Sequence, residues 1–97
     1  MKTKSPLEAR YSGPCKRQIK KLDPNSRKTV KAAIQSVLHD PSIGEQKKGD
    51  LARIRVHKFR VSAQLFLLAY EVHADHILFD FLGSHENFYR DLKKHIK

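Results

Sequence analysis

The chain has 97 residues, room for one small hydrophobic core but not two. Twenty Lys and Arg stand against ten Asp and Glu, a net charge of +10 with neutral histidines, and 39% of the residues are hydrophobic, which excludes a disordered tail. No apolar run nears the roughly 20 residues of a membrane span. The basic start Met1-Lys2-Thr3-Lys4 has no apolar stretch behind it to make a secretory signal, and the single Cys15 excludes an internal disulfide or a thiolate-rich zinc site. The expectation is one domain over residues 1–97, soluble, in a reducing cytoplasmic compartment without membrane contact. Its field calls for a polyanionic partner.

Residues 1–13 read either as a short edge strand around Leu7–Tyr11 or as a loose chain end, and Gly13-Pro14 reads as a break. Cys15, Ile19 and Leu22 form one stripe of a short helix. Asp23-Pro24 has the form of an N-cap followed by proline at the first helical position. The stripe Val30, Ala33, Ile34, Val37, Leu38 predicts a second helix ending at Asp40-Pro41. Residues 41–50 show no periodicity and read as a loop. From Leu51 the period is two: Ala52, Ile54 and Val56 alternate with Arg53, Arg55 and His57, and residues 58–62 are expected to turn the chain. Residues 63–72 are apolar on both faces at their centre, as in a covered central strand. His73–His76 reads as a turn, 77–82 as a strand, and Ser84 as the cap of a last helix anchored by Phe88 and Leu92. The expected fold is α+β: an N-terminal helical hairpin packed on an antiparallel sheet of about three or four strands, with a C-terminal helix.

Arg53, Arg55 and His57 at alternate positions of one strand stand about 7 Å apart, close to the phosphate spacing of a single nucleic-acid strand. Alone, such a row is more often an ordinary exposed sheet face. Its company shifts that reading: Lys58 and Arg60 follow in the next turn, and His85 and Tyr89, four apart after the last strand, can reach the same face by chain reversal. His73 and His76 flank a turn with no thiol near, so no metal and no cofactor is expected.

The segments Lys20-Lys21-Leu22-Asp23-Pro24, Gly49 to Val56, Leu67 to Val72, and Leu82-Gly83-Ser84-His85 through Phe88-Tyr89 resemble, in order and spacing, the RelE/ParE superfamily of type II toxin–antitoxin toxins. The resemblance implies a helical hairpin on an antiparallel sheet. Its RelE-like members cleave mRNA, usually on the ribosome, whereas its ParE-like members inhibit DNA gyrase. Arg53 and Arg55 match the basic pair of the RelE-like site. His85 and Tyr89 match the pair after the last strand, closest to YafQ-like members, which use histidine there. His57 matches a further histidine of that subgroup. A basic residue expected on entering the central strand is replaced by Leu67, with Arg60 and Gln64 as substitutes.

The resemblance thus implies an endoribonuclease, an mRNA interferase acting by metal-free 2′-OH attack. His85 and His57 are its acid–base candidates, Arg53, Arg55 and Tyr89 complete the catalytic set, and Lys58, Arg60 and Lys48 bind substrate. Implied partners are a cognate antitoxin, mRNA and the ribosome, with operator DNA reached only through the antitoxin complex. The alternatives are a gyrase inhibitor on the same fold and a non-catalytic nucleic-acid-binding module.

Overall fold

The computed structural model describes residues 7–96. The first six residues of the N-terminal segment lie outside the described residues, and Glu8–Tyr11 forms strand β1. Ser12 then starts helix α1 (Gly13–Lys20): its hydroxyl accepts from the Cys15 N–H at 3.1 Å and donates to the Asp80 carbonyl at 2.6 Å. Gly13-Pro14 therefore opens a helix instead of breaking the chain, because proline in the first turn gives up only an N–H that has no helical partner. Helix α2 (Pro24–His39) is capped by Asp23, which accepts from the Ser26 N–H at 3.2 Å. Hydrogen bonds from the Ser26 side chain and main chain hold the Asp23 carboxyl below its usual range. The stripe read from the sequence is the buried one: Val30, Ala33, Ile34, Val37 and Leu38. Between the helices, the Arg27 guanidinium donates to the carbonyls of Leu22 at 2.7 Å, Lys20 at 3.3 Å and Ile19 at 3.5 Å, closing the end of α1.

Strands β2 (Glu45–Gln46), β3 (Arg55–Val61), β4 (Gln64–Val72) and β5 (His76–Ser84) complete one sheet of order β1-β5-β4-β3-β2. β1 runs parallel to β5, and the other pairs are antiparallel. The α+β class holds, but the sheet has five strands, not three or four, and is mixed, not antiparallel. Of the two readings of the N-terminal segment the edge strand is the one that forms, as β1, whereas β2, two residues long, is too short to show a side-chain period and is made by main-chain pairing. The strand expected from Leu51 starts at Arg55, after a 3-10 turn over Gly49–Leu51. The turn expected over 58–62 is only Ser62-Ala63, with Ser62 at φ 58°. Lys58 and Arg60 are charged because they lie on an outer strand, where they alternate with Phe59 and half-exposed neighbours up to the buried Val61.

Helices cover both faces of β4. Leu68 and Tyr70, with Phe79, Leu82 and Val61, pack under Val30, Ile34, Val37 and Leu38 of the hairpin. Leu67 and Ala69, with Val56 and Phe81, pack under Phe88 and Leu92 of helix α3 (Phe88–Ile96). Tyr70 also ties the chain after α2 to the sheet. Its buried hydroxyl accepts from the Gly44 N–H at 2.9 Å and donates to the Pro41 carbonyl at 2.7 Å. A Cβ on Gly44 would lie 2.9 Å from Tyr70 Cζ, so only glycine lets the backbone come this close. Tyr70→Phe leaves that N–H and carbonyl without their partner and should cost about 1–3 kcal/mol. Gly44→Ala should destabilise through the clash, and urea unfolding with an unchanged m value is the check on both.

Candidate nucleic-acid interface

Strand parity decides which cations share a surface. Phe59 and Val61 belong to the hairpin-side core and Val56 to the α3-side core. Arg55 and His57 therefore point to the hairpin side of β3, and Lys58 and Arg60 to the α3 side. Arg53 lies before the strand, in the turn that follows the 3-10 segment. The expected row of Arg53, Arg55 and His57 on one strand face is thus corrected: the strand begins at Arg55, four residues after the start of the hydrophobic alternation at Leu51.

Arg55 is engaged by the fold. Its guanidinium donates to the Gly44 carbonyl at 2.7 Å, beside the Tyr70 hydroxyl. His57 is half-buried and stacks on Phe59 with ring centroids 5.6 Å apart. Burial holds its pKa below the ordinary histidine value, so the imidazole is neutral at pH 7.

His85 opens the 3-10 turn (His85–Asn87) that leads into α3, and it is exposed. The turn leaves the sheet on its α3 side, since a Cβ at Gly83 would meet Phe88 and Phe81. His57 and His85 are therefore carried on opposite sides of the sheet. His85 is also far from Arg55 along the strands. Arg55 shares a row with Tyr70 and Phe79, Ser84 shares one with Phe66 and Phe59, and four residues, about 13 Å, separate the rows. Lys58 is nearer: it lies opposite Leu67, which lies opposite Gly83, about 10 Å across two strand spacings. Lys58, Arg60 and the His85 segment thus share one side of the molecule.

Tyr89, on the first turn of α3, lies in a shallow cleft with Lys47, Lys48, Asp50 and Lys93. The Lys47 ammonium is 5.1 Å from the Tyr89 ring centroid and 3.3 Å from a Glu45 carboxylate oxygen. Contact with Tyr89, followed by Glu45, raises the Lys47 pKa above its ordinary value against the effect of burial. The sequence points to Lys48 as a substrate contact but not to Lys47 or Lys93. Their common signal is proximity to Tyr89, which only the fold supplies.

Arg53 belongs to a further cluster. It is 3.6 Å from Glu71, which also meets His73 at 3.2 Å. Beside them Asp80, the extra residue where the β4–β5 register shifts, is buried with one carboxyl oxygen lacking a conventional donor. Burial, and then the hydrogen bond and charge of Glu71, push the Asp80 carboxyl up to about 8. Burial also opposes charge on Glu71, but hydrogen bonds with Asp80 and His73 and the charge of Arg53 outweigh it and hold Glu71 below its usual range. The two acids hold one proton at neutral pH: Asp80 donates and Glu71 accepts. The sequence carried a signal for this pair in the lone acid of the apolar run Ile77–Leu82. Among the described residues no group of three or more His, Cys, Asp and Glu side chains is arranged to hold a metal ion.

The Asp80 proton makes stability depend on pH. The folded chain keeps it up to about pH 8, whereas the unfolded chain releases it near 3.8, so stability falls as pH rises through this window. Asp80→Asn cannot ionise and still donates to Glu71. It should remove the decline between pH 6 and 9, read as urea midpoints of the two proteins across that range.

The fold matches known proteins. An arginine-to-alanine double mutant of the E. coli toxin RelE in the free state is 17% identical, with a TM-score of 0.73 over 94% of each chain. RelE in the intact E. coli RelBE toxin–antitoxin complex is 20% identical, with a TM-score of 0.69 over 82% of this chain and 98% of that one. A YoeB/ParE toxin from Agrobacterium tumefaciens is 15% identical, with a TM-score of 0.62 over 81% and 99%. No curated protein gives a significant match. The family model for the ParE-like toxin of type II bacterial toxin–antitoxin systems matches residues 11–93. With most of its length covered by that model and its fold shared with RelE, the chain belongs to the ParE-like toxins of the RelE/ParE superfamily.

Proposed function

We propose that this toxin is an endoribonuclease that cleaves mRNA, on the ribosome, at the α3 side of its sheet. The observation that carries the reading is that Lys58 and Arg60 share that side with the segment bearing His85 and Tyr89. In this reading Lys58 and Arg60 hold the scissile phosphate and stabilise the charge that develops on it. Tyr89, edged by Lys47 and Lys48, stacks on an unpaired base. The RNA 2′-oxygen attacks phosphorus, the bond to the 5′-oxygen breaks, and a 2′,3′-cyclic phosphate results. The attacking hydroxyl loses a proton and the leaving oxygen gains one; the exposed imidazole of His85 supplies proton transfer. His57 takes no part, because it faces the hairpin side. Arg55 and Arg53 support the site indirectly, Arg55 by bracing the segment that carries Lys47 and Lys48, Arg53 by pairing with Glu71.

Inhibition of gyrase is the second reading, and one observation favours it: the two histidines do not meet across the sheet. A cognate antitoxin is the expected partner in both readings. Translating ribosomes incubated with the toxin, followed by mapping of message ends, should give site-specific cuts. His85→Ala should lower the cutting rate by about 10²–10⁴-fold with the fold intact, while His57→Ala should leave it within a few-fold. Gyrase–DNA breaks without message cleavage would replace the first reading with the second.

A further inference from the structure

A groove of about 460 Å³ runs between β1, α1 and α2, on the hairpin side of the sheet and away from α3. Its floor is apolar. Tyr11, stacked on Phe79 with ring centroids 5.5 Å apart, lies there with the half-buried Ile19 and the buried Ile34. Its rim is cationic. Lys16, Arg17 and Lys20 follow Gly13 at helical spacing, so one face of α1 presents all three to the groove, and Lys31 of α2 closes the other wall. All four cations are exposed, and none of them forms an ion pair among the described residues. A Cβ on Gly13 would lie 3.5 Å from Arg17 Nη1, so the guanidinium sits over the first turn of α1, where the helix dipole also favours an anion.

Floor and rim together select the ligand. A nucleic-acid backbone would satisfy the rim but set phosphates against an apolar floor. A neutral hydrocarbon would cover the floor and leave four cations uncompensated. An amphiphile with one anionic head and an aliphatic tail meets both demands. We propose that this groove binds a medium-chain aliphatic carboxylate, its tail along Tyr11, Ile19 and Ile34 and its head against Arg17 and the neighbouring lysines. The guanidinium can grip the carboxylate through two N–H groups, while the lysines act as point charges. A tail of about ten carbons suits a groove of this size. The site stands apart from RNA cleavage, because Lys58, Arg60 and His85 lie on the other side of the sheet.

NMR titration of the intact chain with sodium decanoate, kept below its micelle concentration, tests the site. The methyl signals of Ile19 and Ile34 and the ring signals of Tyr11 should shift together and saturate at one ligand per chain. Octanoate, two carbons shorter, should bind about four- to sixteenfold more weakly, since each buried CH₂ contributes about two- to fourfold. Decanol, which keeps the tail and loses the charge, should bind about fivefold or more below decanoate. The double variant Arg17→Gln and Lys20→Gln changes only the exposed rim. It should weaken decanoate by about fivefold or more and leave decanol binding unchanged. Affinity that does not depend on chain length overturns the proposal and makes the groove a bare anion patch. So does binding that appears only with micelles, or single-stranded RNA that moves the Ile19 and Ile34 signals where decanoate does not.

Discussion

A central strand that is apolar on both faces dictates this structure. Leu67 and Ala69 face one way and Leu68 and Tyr70 the other, and all four are buried. Such a strand cannot lie at an edge or leave a face in water. It requires two covers, and the chain has two amphipathic elements to spend: the α1–α2 hairpin before the sheet and α3 after it. With both faces roofed, charged side chains are left to the rims. The cations of β3, of the segment around β2 and of the start of α3 gather there for that reason.

The same argument explains which parts of the fold could be read from sequence. The α2 stripe is long and regular, and its five apolar residues are the buried ones. The β4 segment was legible because ten consecutive residues with so apolar a centre fit only a covered strand. The structure departs from the sequence pattern where the chain is organised by main-chain bonds: β2 carries no side-chain period, and the first turn of α1 depends on one serine hydroxyl that bridges two elements. The bounds of β3 have a larger consequence: the strand begins at Arg55, which leaves Arg53 outside it, and runs to Val61, which makes Lys58 and Arg60 strand residues. His85 and Tyr89 were legible as a helix-spaced pair, but their neighbours were not, because Lys47 and Lys58 reach their side of the molecule through sheet register alone.

The cations divide by what they touch. Arg27 and Arg55 satisfy main-chain carbonyls, Arg53 balances a carboxylate above a buried acid, and Lys58, Lys48 and Lys93 are exposed. A surplus of positive charge is therefore only partly a binding surface. Some of it is structural, and substitution of those arginines should be read as a change in stability before it is read as a change in recognition.

The Tyr70 hydroxyl bears on the thermodynamics of any encounter with a polyanion. By anchoring Pro41 and Gly44 to the interior, it fixes the start of the segment that ends in Lys47 and Lys48. The entropy of ordering that segment is then lost once, when the chain folds, and not again at each association. A rim organised in this way releases more of its counterion-exchange free energy as affinity than a floppy lysine-rich tail of equal charge could.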